Sequence, residues 1–332
     1  MNDSTAFSII IPFKTWSRDL EECLAHIRQL SFRNYEVILL PDGALTLPGS
    51  FSGMPVFIIP TGAVNPAIKR DRGAGEARGE FLAFIDDDAY PPPEWLDVAQ
   101  NYFSTHPQVD AIGGPAMTPK SDPFWARVSG AVFLSRASGG NPERYLPCPP
   151  NRTVDDWPSV NLIVRKNVFL QVGGFDSQYW PGEDTLFCLK LLEQTETRIV
   201  YVPELRVWHH RRPGLKKHLR QVGNYGLHRG FFAKRYPKTS RRLKYFLPAL
   251  WVAYVVLGLV LSAFSQWAGW IYLLGWAAYL TALALSWRDI RRHESPRVAL
   301  GAVPYIFLTH LWYGAQFVNG LTTRNLRSSL GR

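Results

Sequence analysis

Three carboxylates stand in a row at Asp86-Asp87-Asp88, directly after the apolar run 81–85. Adjacent negative charges repel, and a divalent cation removes that cost, since Mg²⁺ and Mn²⁺ take carboxylate oxygens and bridge to phosphates. The i, i+2 spacing lets Asp86 and Asp88 serve one diphosphate–metal unit while Asp87 points elsewhere or tunes the loop. An acidic, solvent-exposed turn is the competing reading. A second acidic pair, Glu183-Asp184, follows Gly182 where an apolar helical pattern opens through Leu186, Leu189, Leu191 and Leu192. A carboxylate there can act as general base on an acceptor hydroxyl, or simply favour the helix start. His209-His210 closes an apolar run, so a neutral imidazole can complete a metal site; a polar pair beside Arg211 and Arg212 fits equally well. Arg70, Arg72 and Arg78 can hold a pyrophosphate by charge-assisted hydrogen bonds, or line a solvated helix face. Asp42 can accept a hydrogen bond from a base or ribose, or make a turn.

These groups need a scaffold that brings them together. Residues 7–11 form a β-branched run ended by Pro12, and Leu20, Leu24, Ile27 and Leu30 recur at helical spacing. Residues 35–40, 56–59 and 81–85 read as further strands, and 69–78 as a polar, Gly-punctuated loop running into a helix. Strands alternating with helices predict an α/β domain with a mostly parallel sheet, and such sheets bind ligands beyond the carboxyl ends of their strands. Asp42 and the Asp86–Asp88 run both fall there. Residues 115–158 are rich in Pro, Gly and Ser and read as loops and irregular structure; 159–164, 199–202 and 205–208 read as strands.

The last third changes character. Segments 246–265 and 266–287 contain no charge, and each is long enough to cross roughly 30 Å of hydrocarbon as a helix. Together they predict a helical hairpin. Segment 298–318 is a third candidate, but Pro304, His310 and Gln316 leave it free to span, re-enter or lie in the interface. Arg241, Arg242 and Lys244 precede the hairpin and Arg288, Arg291, Arg292 and Arg297 follow it, which places both flanks in the cytoplasm. If the third segment spans, the tail with Arg324, Arg327 and Arg332 lies outside. The formal net charge is +10, and residues 206–244 carry 13 Lys/Arg without one Asp or Glu. That block favours an anionic partner: lipid head groups, nucleic acid or a pyrophosphate. Three widely spaced cysteines, Cys23, Cys148 and Cys188, argue against a disulfide framework and a zinc site. No basic region precedes the first apolar run, so no signal peptide is expected.

Over residues 5–235 the chain resembles family 2 glycosyltransferases, which have the GT-A fold. The resemblance is carried in order by Ser8-Ile9-Ile10-Ile11-Pro12, EVILLPDGA at 36–44, IKRDRGAGEARGEFLAFIDDD at 68–88, VGGFDSQYWPGEDTLF at 172–187 and Val207-Trp208-His209. It implies that Pro12, Asp42, Arg70, Asp86 and Asp87 bind a nucleotide-sugar. It also implies that Asp86, Asp88 and His209 hold Mn²⁺ or Mg²⁺, and that Asp184 is the catalytic base with Glu183 beside it. The implied reaction is a single displacement with inversion at the anomeric carbon. The implied organisation is a GT-A domain over 1–240 with a basic interfacial segment at 211–240, a membrane region at 245–320 and a basic tail at 321–332. The implied setting is a multi-pass protein of the inner (cytoplasmic) membrane with its catalytic domain in the cytoplasm. Its partners are a nucleotide-sugar donor, a lipid-linked glycan acceptor of cell-surface polysaccharide assembly and the membrane, with no nucleic acid.

Departures from the family pattern are Pro41 for the first Asp of Asp-Asp-Gly-Ser, Asp71 for the usual Asn, and Phe13-Lys14 where Tyr-Asn is usual. Gln221-Val222-Gly223-Asn224-Tyr225 lacks the Arg and Trp of the processive Gln-x-x-Arg-Trp motif, which argues against a polymer synthase. Rival readings are a polyprenyl-phosphate sugar synthase, a non-catalytic membrane scaffold with a degenerate transferase domain, and a nucleotidyltransferase. The last needs a Gly-rich, Lys-bearing loop that residues 13–18 do not supply.

Overall fold

Every residue of the first strand, β1 (Phe7–Pro12), is buried, because neighbours flank it on both edges and helices cover both faces. It pairs in parallel with β2 (Tyr35–Leu40) and β4 (Phe81–Ile85), with Ile9 opposite Val37 on one side and Ala83 on the other. In the computed structural model, which describes residues 5–175, 178–196 and 198–326, these strands centre an eight-stranded sheet. Asp176 of the Gly-Gly-Phe-Asp block and Arg327 and Arg332 of the tail lie outside the described residues. The other strands are β3 (Val56–Ile58), β6 (Ala111–Gly113), β8 (Arg152–Val154), β9 (Asn161–Arg165) and β10 (Ile199–Tyr201). The order is β3-β2-β1-β4-β9-β6-β10-β8, with β9 antiparallel to β4 and β6, and β8 antiparallel to β10. A small second sheet joins β5 (Ala89–Tyr90), β11 (Val207–His209) and β7 (Ala116–Met117).

Alternation along the strands makes two cores. Ile9, Ile11, Val37 and Ile85 face α1 (Arg18–Ile27) and α3 (Trp95–Thr105); Ile10, Ile38 and Phe84 face α2 (Pro66–Glu76), α5 (Lys166–Gln171) and α6 (Glu183–Gln194). Each such aliphatic side chain contributes roughly 1.5–3 kcal/mol on full burial. The buried polar exceptions are paired: Ser8 donates to Glu36 Oε1 at 2.6 Å, and Glu36 also accepts from Arg78 Nε at 2.8 Å.

Helix α2 begins earlier than the loop expected at 69–78. Asn65 caps it by accepting from Ile68 N at 3.0 Å, and Pro66 occupies its first turn. Its glycines lower helix propensity, but Gly73 lets the helix seat on the sheet: a Cβ there would meet Leu40 Cδ1 at 2.9 Å. The stretch 115–158 is also less irregular than expected, since it holds β7, β8 and α4 (Phe124–Ala131). The cysteines are free, with Cys23 and Cys188 buried and Cys148 half-buried.

Residues 118–145 and 210–326 form a second compact unit, the first being 5–117 with 146–209. The second unit holds α4, α7 (Leu215–Arg235), α8 (Pro237–Ser240), α9 (Leu243–Ser262), α10 (Gln266–Ile290) and α11 (Pro296–Thr322). The last three are long and apolar enough to cross a membrane. Glu294, buried inside this unit, accepts from Lys120 Nζ at 2.9 Å and from Arg127 Nη2 at 2.5 Å. His218 of α7 lies between Ser129 Oγ and Thr309 Oγ1, each at 2.8 Å, and burial pushes its pKa down to about 4.

Candidate active site

Strand β4 delivers its acidic run into a tight turn, in which Ala89 N donates to the Asp86 carbonyl at 3.1 Å. The chain then enters β5, whose partner β11 sets Trp208 opposite Tyr90 and His209 opposite Ala89. Trp208 stacks on Tyr90 with ring centroids 5.6 Å apart, which fixes the register of this short ladder. That register carries His209 to the acidic turn from a strand more than a hundred residues later. His209 Nε2 lies 3.1 Å from Asp88 Oδ1, and one ligand atom each from Asp86, Asp88 and His209 lies within 4.8 Å of the others.

This donor set fits a divalent cation. Bonds of about 2.0–2.2 Å from a central ion place its ligands roughly 3–4 Å apart, the scale of this cluster. Two carboxylates supply hard oxygen donors and one imidazole a nitrogen, which suits Mn²⁺ and, with more retained water, Mg²⁺. All three side chains are half-buried, so the cluster also has a face towards solvent where phosphate oxygens can complete the shell. Asp87 occupies the middle of the turn and is also half-buried.

Arg70, expected as a nucleotide contact, is 3% exposed and lies behind the acidic turn. Its Nη2 donates to Asp86 Oδ1 at 2.6 Å and its Nη1 to Glu183 Oε1 at 3.1 Å, and it lies over the Phe175 ring at 5.7 Å. Burial works against its charge, but Asp86 and Glu183 outweigh that and hold its pKa above the ordinary value. One guanidinium therefore ties the end of β4 to the start of α6. Gly182 opens α6 at φ +117°, a conformation that L side chains rarely adopt, which accounts for glycine before the acidic pair. Glu183 is buried; burial, then the charge of Asp184, push its pKa up to about 8 against the pull of Arg70. Asp184 Oδ1 accepts from Thr185 N at 2.7 Å, and Thr185 Oγ1 donates to Asp156 Oδ1 at 3.1 Å. The charge of Asp184 is felt by both Glu183 and Arg70.

Pro12 and Asp42 lie at the same carboxyl edge of the sheet, Pro12 opposite Leu40. Asp42 forms an ion pair with Lys69, whose ammonium is buried at 2% exposure and also donates to the Leu40 carbonyl at 3.1 Å. Sequence reading missed Lys69, because a lysine opening a polar run looks like any solvated lysine. Asp71 also has a role the sequence hid: its Oδ1 accepts from Phe175 N at 2.8 Å, joining α2 to the turn at Gly173-Gly174. An Asn Oδ1 can accept the same bond, so the departure at this position preserves the contact. His210 does not belong to the metal cluster; it bonds Asp122 Oδ1 at 2.5 Å in the second unit.

A β4 turn that gathers Asp86 and Asp88, and a distant histidine strand that completes them, stand on a sheet with a known likeness. The model of the Glycosyl transferase family group 2 matches residues 81–286, more than half of the chain, and the chain belongs to that family. The pre-mycofactocin glycosyltransferase of Mycobacterium tuberculosis is 26% identical over 256 residues, covering 71% of this chain and 49% of that protein. The glucosyl-dolichyl phosphate glucuronosyltransferase of Haloferax volcanii is 24% identical over 212 residues, covering 59% of this chain and 64% of that protein. The chain thus spans about half the length of the first of these relatives and under two thirds of the second. Among solved structures, the mannosyltransferase PcManGT from Pyrobaculum calidifontis, in complex with GDP-Man and Mn²⁺, superposes with a TM-score of 0.54 at 16% identity. The superposition covers 96% of this chain and 88% of that one. This likeness shows a shared fold: the α/β domain has the GT-A fold, as the motif order implied.

Proposed function

We propose that the chain is a membrane-anchored, metal-dependent, inverting glycosyltransferase that moves a sugar from a nucleotide-sugar to a lipid-linked glycan acceptor in cell-surface polysaccharide assembly. The observation that carries this reading is the convergence of Asp86, Asp88 and His209 within 4.8 Å at the carboxyl edge of a GT-A sheet. These three would hold Mn²⁺ or Mg²⁺, which when bound offsets the negative charge of the leaving diphosphate. The GDP-Man and Mn²⁺ bound by PcManGT support both the donor class and the ion. The glucosyl-dolichyl phosphate in the name of the Haloferax volcanii relative supports an acceptor on a lipid carrier.

Pro12, Asp42, Asp86 and Asp87 would bind the nucleotide-sugar along the strand ends, and Arg70 would act on it through Asp86, which it holds in place. Asp184 takes the proton of the acceptor hydroxyl as that oxygen bonds to the anomeric carbon. The bond from that carbon to the diphosphate oxygen breaks on the opposite face, and the configuration inverts. Glu183, buried and held towards its neutral form, adds less negative charge beside Asp184 than a second carboxylate would. The catalytic unit works on the cytoplasmic side of the inner membrane, where the basic flanks of the hairpin favour both of its ends.

Asp184→Asn tests the base. General-base removal costs about 10²–10⁴-fold in rate, so transfer to a lipid-linked acceptor should fall by that factor while Mn²⁺-dependent donor binding, followed by calorimetry, stays unchanged. Full transfer activity in the purified variant would remove Asp184 from this role.

A further inference from the structure

Helices α9 and α10 bury few or no side chains, whereas one side of α11 is covered along its length. Near its start, a Cβ on Gly301 would meet Val128 of α4 at 3.0 Å, and Trp125 of α4 stacks on Tyr305 at 6.0 Å. Thr309 bonds His218 of α7. From there α7 runs alongside and parallel to α11 at backbone distance. A Cβ on Gly226 would meet the Tyr313 carbonyl oxygen at 2.6 Å, and one on Gly230 the Phe317 carbonyl oxygen at 2.0 Å. Lys234 closes the contact by donating to the Leu321 carbonyl at 3.0 Å.

The helix that follows α11 so closely carries Lys216, Lys217, Arg220, Arg229, Lys234 and Arg235 and no acidic residue. If α11 crossed the bilayer, α7 would be carried to hydrocarbon depth with these cations, where charged side chains are strongly disfavoured. Exposed Arg297, Asn319 and Thr322 lie at the two ends of α11; between them its uncovered side is apolar, with Leu300, Pro304, Ala315 and Val318 exposed and Leu311 half-buried. At ~100° per residue these apolar positions fall within about 60° of one another, a single stripe. Helix α11 meets the hairpin near the start of α9, through Phe246 on Phe317 at 4.8 Å, and near the middle of α10, through Tyr279 Oη on His310 Nδ1 at 2.8 Å and Trp276 on Phe307 at 6.2 Å.

We infer that α11 does not span but lies in the membrane interface, its apolar stripe on the acyl boundary and α7 on its aqueous side, so that the chain crosses the bilayer twice. Phe124 and Trp125 of α4, 41% and 52% exposed, extend the same surface with the aromatic side chains that interfaces favour. The partner is the interfacial layer of an anionic bilayer, to which the cations of α7 are also drawn. This placement rests on the membrane-anchored reading and resolves the third segment left open by composition.

The test uses the full chain in membranes, on a Cys148→Ser background because Cys23 and Cys188 are buried. Single variants Lys238→Cys, Ser265→Cys and Asn325→Cys report the segment before α9, the hairpin turn and the segment after α11. They are treated with a membrane-impermeant maleimide in spheroplasts and in inverted vesicles. The expected result is labelling of Lys238→Cys and Asn325→Cys from one side and of Ser265→Cys from the other. Labelling of Asn325→Cys from the side of Ser265→Cys overturns the in-plane placement while leaving the anchor intact. Labelling of Ser265→Cys from the side of Lys238→Cys removes the anchored reading, and the placement with it. Nitroxides at Leu300→Cys and Ala315→Cys should report equal, shallow depth; a difference of half a bilayer between them would contradict the inference.

Discussion

Arg70 faces more negative charge than one guanidinium neutralises. It bonds Asp86 and Glu183, and Asp184 lies within electrostatic reach. The residue that yields is Glu183, buried and with its pKa pushed from the usual carboxylate range up to about 8. The sign of the consequence follows from proton linkage. Between about pH 4.5 and about pH 8 the folded chain keeps a proton on Glu183 that the unfolded chain has released, so stability falls as pH rises through that window. Glu183→Gln retains a carbonyl for Arg70 and cannot titrate. The melting temperature of the wild type should therefore drop relative to the variant as pH rises through the window, measured in one detergent. Parallel curves would show that Glu183 is ionised throughout. The same geometry explains what the sequence concealed. Carboxylates at strand ends and a histidine after an apolar run could be read as chemistry. The link from Arg70 to Glu183 joins residues 113 positions apart and leaves no local trace.

At the scale of elements, legibility followed how each element is stabilised. Strands β1, β2 and β4 are buried throughout, so their apolar runs announced them. Strand β11 was announced by the apolar run at 205–208, whereas β5 and β7 have two residues each and exist only through pairing with it, a signal that no window of sequence contains. Helix α4 hid in a Pro- and Gly-rich stretch, and α2 hid behind glycines that its packing requires. Glycine also governs the long helices. Gly226 and Gly230 admit the backbone of α11 against α7, closer than any side chain allows. Gly230→Ala places a methyl group 2.0 Å from a carbonyl oxygen, so the helices must part. Such overpacking costs about 1–3 kcal/mol, and the purified variant should lose stability by that amount in denaturant titrations. An unchanged midpoint would show that the two helices are not in backbone contact.

The whole molecule combines a GT-A domain with a strongly basic, apolar C-terminal part. The net charge of +10 is concentrated between residues 206 and 244, immediately before the hairpin. Charge attraction and apolar insertion respond differently to solvent. Salt near 1 M shortens the screening length to about 3 Å and releases proteins held by head-group attraction alone. Inserted helices remain. The proposed anchor therefore predicts that membranes washed with ~1 M salt and then with alkaline carbonate retain the chain, and that detergent releases it. Release by salt would reduce the basic block to the only attachment and leave α9 and α10 without lipid contact.

The convergence of Asp86, Asp88 and His209 into one cation site is most directly tested by Mn²⁺ electron paramagnetic resonance on the purified chain with a nucleoside diphosphate. Wild type should bind one Mn²⁺, with ¹⁵N labelling of histidine changing the hyperfine coupling. Asp88→Ala should abolish binding, and His209→Ala should weaken it and erase that coupling. Unaltered Mn²⁺ affinity in Asp88→Ala, or no histidine coupling in the wild type, would contradict the site.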